Sequence, residues 1–127
     1  MLEYGQVWLA DLSPQHGTEP GKLRPVLVVQ HQALLDADHP STLIIPLTTR
    51  LVEDAEPLRV RILPSDRLRE ASDLLIDQLR AIDNRRLKIA EGPLTLCQPA
   101  LMQKVRAALA EVLCIDADSV SPQLGHP

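Results

Sequence analysis

Apolar side chains fall into short runs through most of the chain and into a helical repeat only near its end. Residues 6–12, QVWLADL, alternate Val7 and Leu9 with Trp8 and small or polar neighbours, the period-two pattern of a first strand that Ser13 and Pro14 close. Residues 15–23 hold two glycines and a proline and read as a long irregular loop. Residues 25–29, PVLVV, form a continuous apolar run rich in β-branched side chains, expected as a strand buried on both faces, with Pro25 at its start, where a missing N–H is tolerated. A second loop, residues 31–41, leads into TLIIPLT at 42–48, whose internal Pro46 marks an edge or a bulge. RVRI at 59–62 alternates charge with apolar side chains, a strand with one wet face. Strands at this spacing without helices between them predict an antiparallel sheet.

Residues 68–82 fit either of two elements. Leu68, Leu75, Leu79 and Ile82 lie on a helical stripe, whereas ASDLLI at 71–76 reads equally as a strand. After Pro99, a natural first-turn residue, Leu101, Met102, Val105, Ala108, Leu109, Val112 and Leu113 recur at helical spacing and predict an amphipathic helix of about four turns. Residues 1–116 therefore make one domain, and 117–127 a flexible C-terminal tail with little to bury.

Composition removes several function classes. Apolar residues are 45% and charged residues 24% of the chain, a globular profile rather than a disordered one. The only aromatic residues are Tyr4 and Trp8, so a row of base-stacking platforms is missing. A net charge of −4 argues against wrapping long nucleic acid by bulk electrostatics, although a local contact stays open. Nine of the thirteen Lys and Arg residues fall between Arg50 and Lys88, either as a basic face or as solvated charges balanced by the nine acids of 53–91. No run approaches the ~20 apolar residues of a membrane span and no leader pattern opens the chain, so a cytoplasmic location without a membrane contact is expected. Cys97 and Cys114 are read as reduced packing residues, and neither they nor His16, His31, His39 and His126 have metal-ligand spacing. No metal or cofactor is expected.

Three segments then carry a specific resemblance. GQVW at 5–8 with DLSP at 11–14, GTEPGKLRPVLVV at 17–29 followed by PLTT at 46–49, and DQLRAID at 77–83 after Ser72 and Asp73 stand in the order seen in MazF/PemK toxins. The chain resembles that family over residues 5–88, with the final helix in keeping. The resemblance implies a mainly β fold with α, an SH3-like β-barrel of the CcdB/PemK type with a C-terminal amphipathic helix, assembled as a homodimer. It also implies that the ambiguous stretch around residues 74–79 is strand.

The same resemblance implies a toxin of a type II toxin–antitoxin system that acts as a metal-independent, sequence-specific endoribonuclease, an mRNA interferase, on single-stranded RNA. The 2′-OH would attack the adjacent phosphate, leaving a 2′,3′-cyclic phosphate and a 5′-OH. Arg24 would hold the phosphate charge through a planar pair of donors, and Thr48 would donate a hydroxyl hydrogen bond to the same group. Glu19 would move a proton or orient Arg24, and the group that removes the 2′-OH proton is unassigned. Lys22, Gln78 and Arg80 are candidate RNA contacts, the last two with a structural or dimer-facing role as the alternative.

The implied partners are single-stranded RNA, chiefly mRNA, and a cognate antitoxin whose disordered C-terminal segment folds over the toxin, with the basic residues of 80–88 as a candidate contact. Two other readings compete: a non-catalytic toxin of the same fold that binds a protein such as DNA gyrase, and a plain SH3-like interaction module. The Arg24 and Thr48 pair argues against the first, and the scarcity of aromatic residues against the second.

Overall fold

Short β-branched runs broken by Pro and Gly cannot bury themselves singly, and they pair here into one curled antiparallel sheet. The computed structural model describes residues 1–14, 17–18 and 22–115. Its elements are β1 (Gln6–Asp11), β2 (Leu23–Val28), α1 (Gln32–Asp36), β3 (Ser41–Thr48), β4 (Arg59–Ile62), β5 (Ser72–Leu75), β6 (Arg80–Asp83), β7 (Thr95–Leu96) and α2 (Pro99–Val112). The strand order is β4-β5-β3-β2-β1-β7, and β6 also pairs with β3. Every pairing is antiparallel, as the strand spacing predicts. The expected tail, 117–127, lies outside the described residues, as do His16 and Glu19.

Side-chain alternation divides the core between the two faces of the sheet. Val7, Leu27, Ile45 and Leu47 point to the face that α2 covers with Met102, Val105 and Ala108, joined there by Val60 and Leu74. Trp8, Ala10, Val26, Val28 and Ile44 point the other way and pack with Ile82 and Leu87. Each aliphatic side chain so buried stabilises the fold by about 1.5–3 kcal/mol. β2 is thus buried on both faces, as its unbroken apolar run predicts. Trp8 keeps its indole N–H satisfied by donating to Gln6 Oε1 at 3.0 Å.

Three details differ from expectation, each for a local reason. Residues 32–36 of the second loop form α1, begun by His31, whose Nδ1 accepts from the Ala33 N–H at 3.0 Å; a single turn is too short to show a helical period. The stretch after residue 74 is strand only to Leu75, and Ile76–Gln78 form a 3-10 turn before β6 resumes. Pro46 lies not in an edge strand but in central β3, where it marks a local break in the pairing on one side.

The reason for the last two is shared. Val29 N–H donates to Leu43 O at 3.1 Å, so odd-numbered residues of β3 turn their polar groups toward β2 and even-numbered ones away from it. Pro46 therefore aims its substituted nitrogen at the gap where β3 changes partner, β6 ending opposite Ile44 and β5 beginning opposite Leu47. The 3-10 turn carries the chain across that gap. A proline is tolerated there because no donor is needed.

Candidate active site

The same bookkeeping explains how β2 and β3 part. Pro25 sits where a β2 residue would donate to the Leu47 carbonyl, and having no N–H it ends the ladder at Val26↔Pro46. Beyond that point the two strand ends enclose a shallow pocket of about 220 Å³ lined by Lys22, Leu23, Arg24, Pro25, Leu47, Thr48, Thr49 and Ser72. Continuing the register by two residues sets Arg24 on the side of the sheet that carries Thr48, and both line this pocket. Both residues are half-buried.

Each is anchored from its far side. Arg24 pairs with Ala10 of β1, so its backbone belongs to the sheet. Thr48 pairs with Asp73 of β5, and its Oγ1 accepts from the Arg50 N–H at 3.2 Å. A hydroxyl engaged as an acceptor still has its own proton to donate. The arrangement can grip a tetrahedral anion: a guanidinium supplies a fork of charged donors and a neutral hydroxyl supplies one more.

Among the other expected residues, Lys22 joins the pocket, holding a left-handed backbone with φ of 63°. Its carbonyl accepts from Leu12 N–H at 2.8 Å, which closes the neck of the loop. Gln78 and Arg80 are half-buried and do not line the pocket. Arg80 pairs with Ile44, four residues and about 13 Å along β3 from Thr48, on the face that carries Thr48. Among the described residues no group of three His, Cys, Asp or Glu side chains is arranged to hold a metal ion. Cys97 and Cys114 are free thiols, and burial pushes the Cys97 pKa up to about 11.

The chain as a whole is similar to known proteins. The family described as PemK-like, MazF-like toxin of type II toxin–antitoxin systems matches residues 3–113. The chain belongs to the PemK/MazF toxin family. A relative from Staphylococcus saprophyticus, "Endoribonuclease MazF", is 34% identical over 110 residues, covering 86% of this chain and 88% of the relative. A mycobacterial structure, "Endoribonuclease in complex with its cognate antitoxin", is 26% identical with a TM-score of 0.64, covering 89% of this chain and 93% of that one. MazF from Deinococcus radiodurans shares the fold at 24% identity and a TM-score of 0.71, over 89% of this chain and 96% of that one. No helix among the described residues is long and apolar enough to cross a membrane.

Within this PemK/MazF fold, two features beside the pocket escape a reading of the sequence. Arg86 Nη1 donates to the carbonyl oxygens of Asp11 at 3.0 Å and Ser13 at 2.6 Å, pinning the loop that leads to Arg24. Nothing local signals this, because the carbonyls belong to residues over seventy positions earlier. Asp73, 1% exposed, receives Arg61 Nε at 2.6 Å, Arg59 Nη1 at 3.1 Å and the Val52 N–H at 2.9 Å. Burial opposes its ionisation, but the hydrogen bonds from Arg61, Val52 and Arg59 outweigh it and hold the carboxyl below the usual range. An acid in β5 next to Leu74 and Leu75, facing a strand of alternating arginines, is the signal that could have found it. The wet face expected of β4 is in fact tied to this carboxylate.

Proposed function

We propose that this chain is the toxin of a type II toxin–antitoxin pair and acts as an endoribonuclease on single-stranded RNA. The observation that carries the reading is the convergence of Arg24 and Thr48 on one pocket at the splayed ends of β2 and β3. The RNA 2′-oxygen forms a bond to the adjacent phosphorus while the bond from phosphorus to the 5′-oxygen breaks. The 2′-OH proton leaves to a base and a proton reaches the departing 5′-oxygen, so the ends are a 2′,3′-cyclic phosphate and a 5′-OH without a metal taking part. Arg24 stabilises the charge that grows on the non-bridging oxygens, and Thr48 donates to one of them. Lys22 steers the strand at the pocket mouth. Glu19 shuttles the proton or orients Arg24. Arg80, on the same face, and Gln78 contact the chain further along.

In this proposal the toxin works in the cytoplasm as a homodimer and is silenced by an antitoxin with a disordered C-terminal segment; the mycobacterial relative solved with its cognate antitoxin supports that partner. The test is cleavage of a long single-stranded RNA by purified protein in the presence of a chelator, with the new ends identified chemically. Wild type yields 5′-OH ends, and Arg24→Ala or Thr48→Ala slows their appearance by about 10²-fold or more. An Arg24→Ala protein as active as wild type would remove the mechanism.

A further inference from the structure

Asp73 is an expensive residue where it stands. A buried carboxylate held by two arginines is commonly no more stabilising than an apolar replacement, so packing gives no reason for it in the buried strand β5. What the carboxylate does hold is the segment that follows Thr48. Its Oδ2 accepts from the Val52 N–H at 2.9 Å and from Arg59 Nη1 at 3.1 Å, and the same Arg59 nitrogen donates to the Arg50 carbonyl at 2.7 Å. Its Oδ1 accepts from Arg61 Nε at 2.6 Å, and Arg61 Nη2 reaches the Val52 carbonyl at 3.4 Å. Arg50 in turn gives its N–H to Thr48 Oγ1 at 3.2 Å. The backbone of Asp73 also lies opposite Thr48 in the β3–β5 ladder.

We infer that Asp73, acting through Arg59 and Arg50, is a positioning residue that fixes the direction of the Thr48 hydroxyl in the phosphate pocket. The inference rests on the proposed role of Thr48. Two routes run from Asp73 to that hydroxyl, one through the ladder and one through the arginine-tethered turn. Their joint effect is to keep the Thr48 acceptor side occupied and its proton available to substrate. A displacement of about 1 Å in such a group is enough to slow catalysis by about 10²-fold.

A double-mutant cycle tests this, read as single-turnover cleavage of a long single-stranded RNA with protein in excess, alongside thermal unfolding. Asp73→Asn is expected to lower the maximal rate by about tenfold or more while leaving the half-saturating protein concentration within about twofold. In the Thr48→Ala background it is expected to slow cleavage by less than about twofold, since no hydroxyl is left to misplace. A merely structural Asp73 would show equal losses in both backgrounds, and that result, or an Asp73→Asn rate within about twofold of wild type, overturns the inference. If Asp73→Asn does not fold, Arg59→Lys takes its place: one ammonium cannot reproduce the shared Nη1, and the same pattern of rates is required. A Thr48→Ala protein as fast as wild type would instead overturn the proposed function, and the inference with it; a slow Thr48→Ala beside a fast Asp73→Asn overturns the inference alone.

Discussion

Thr48 and Asp73 stand opposite each other in the β3–β5 ladder, the first half-buried and neutral, the second buried and charged. Arg61 pairs with Asp73 on the next strand, and Arg24 lies on the other side of Thr48 by extension of the β2–β3 register. Because paired residues project to one face, the sheet carries a cross-strand row of Arg24, Thr48, Asp73 and Arg61 on the side away from α2. In that row Arg61 is held by Asp73 and Glu53.

The chemistry of that row predicts a graded response. Thr48→Ser keeps a hydroxyl at the same reach and should retain cleavage within about tenfold, whereas Thr48→Val keeps the shape, loses the donor and should fall by about 10²–10³. Arg24→Lys keeps the charge but loses the fork, and should be slower by about tenfold or more. Initial rates on one RNA, with folding checked by circular dichroism, decide the order; equal rates for the Ser and Val proteins would remove the hydroxyl from the mechanism.

Arg85 and Arg86 are neighbours with different tasks, and substitution should separate them. Arg86 ties the carbonyls of Asp11 and Ser13, so Arg86→Ala should cost about 1 kcal/mol in urea unfolding and speed amide exchange at the loop neck. Arg85 is 91% exposed and pairs only with Asp83 among the described residues, so Arg85→Ala should lose only the small contribution of that exposed pair, less than Arg86→Ala loses. Charge reversal meant to probe antitoxin contact therefore belongs at Arg85, because at Arg86 it would loosen the loop as well. Equal stability losses would refute this division.

Local pattern made the strands of residues 6–11, 41–48 and 59–62 and the final helix legible, the second from its β-rich composition and the others from their periods. It could not assign residues 68–82, where a strand, a 3-10 turn and a second strand follow one another within twelve residues and imitate a helical stripe. Pro46 misled for a related reason: whether a missing N–H matters depends on which neighbour it faces, and β3 changes neighbours at that residue. At the site, Arg24, Thr48 and Lys22 do meet, whereas Gln78 and Arg80 stand off from the pocket. Arg86 acts through tertiary hydrogen bonds to backbone carbonyls, which leave no mark in sequence spacing, whereas Asp73 faces the alternating arginines of β4.

Gly5 offers a control in which stability and activity should part. It opens β1 with φ of 91°, and a Cβ there would meet Met102 Cγ at 3.5 Å and Leu96 Cδ1 at 3.6 Å, ordinary contact distances. Space is therefore available and backbone strain is the main cost. Gly5→Ala should lose about 1–2 kcal/mol in urea unfolding while the cleavage rate below the unfolding range stays within about twofold. A neutral substitution would mean the turn relaxes to a negative φ.

Acid should unlock Asp83 later than an ordinary carboxylate. The side-chain hydrogen bonds from Arg85, then the Arg85 backbone N–H, lower its pKa from 3.8 to about 2. A depressed folded-state pKa means that the ionised form favours the folded protein. That contribution is fully present above about pH 4 and disappears as pH falls through about 2. The urea midpoint of wild type should thus exceed that of Asp83→Asn at neutral pH, and the two should converge between about pH 4 and about pH 2. Because the Arg85 side is solvent-exposed, salt should shrink the difference at neutral pH. A gap that persists unchanged below about pH 2 would assign the effect of the substitution to the turn cap at Arg85 N–H rather than to charge.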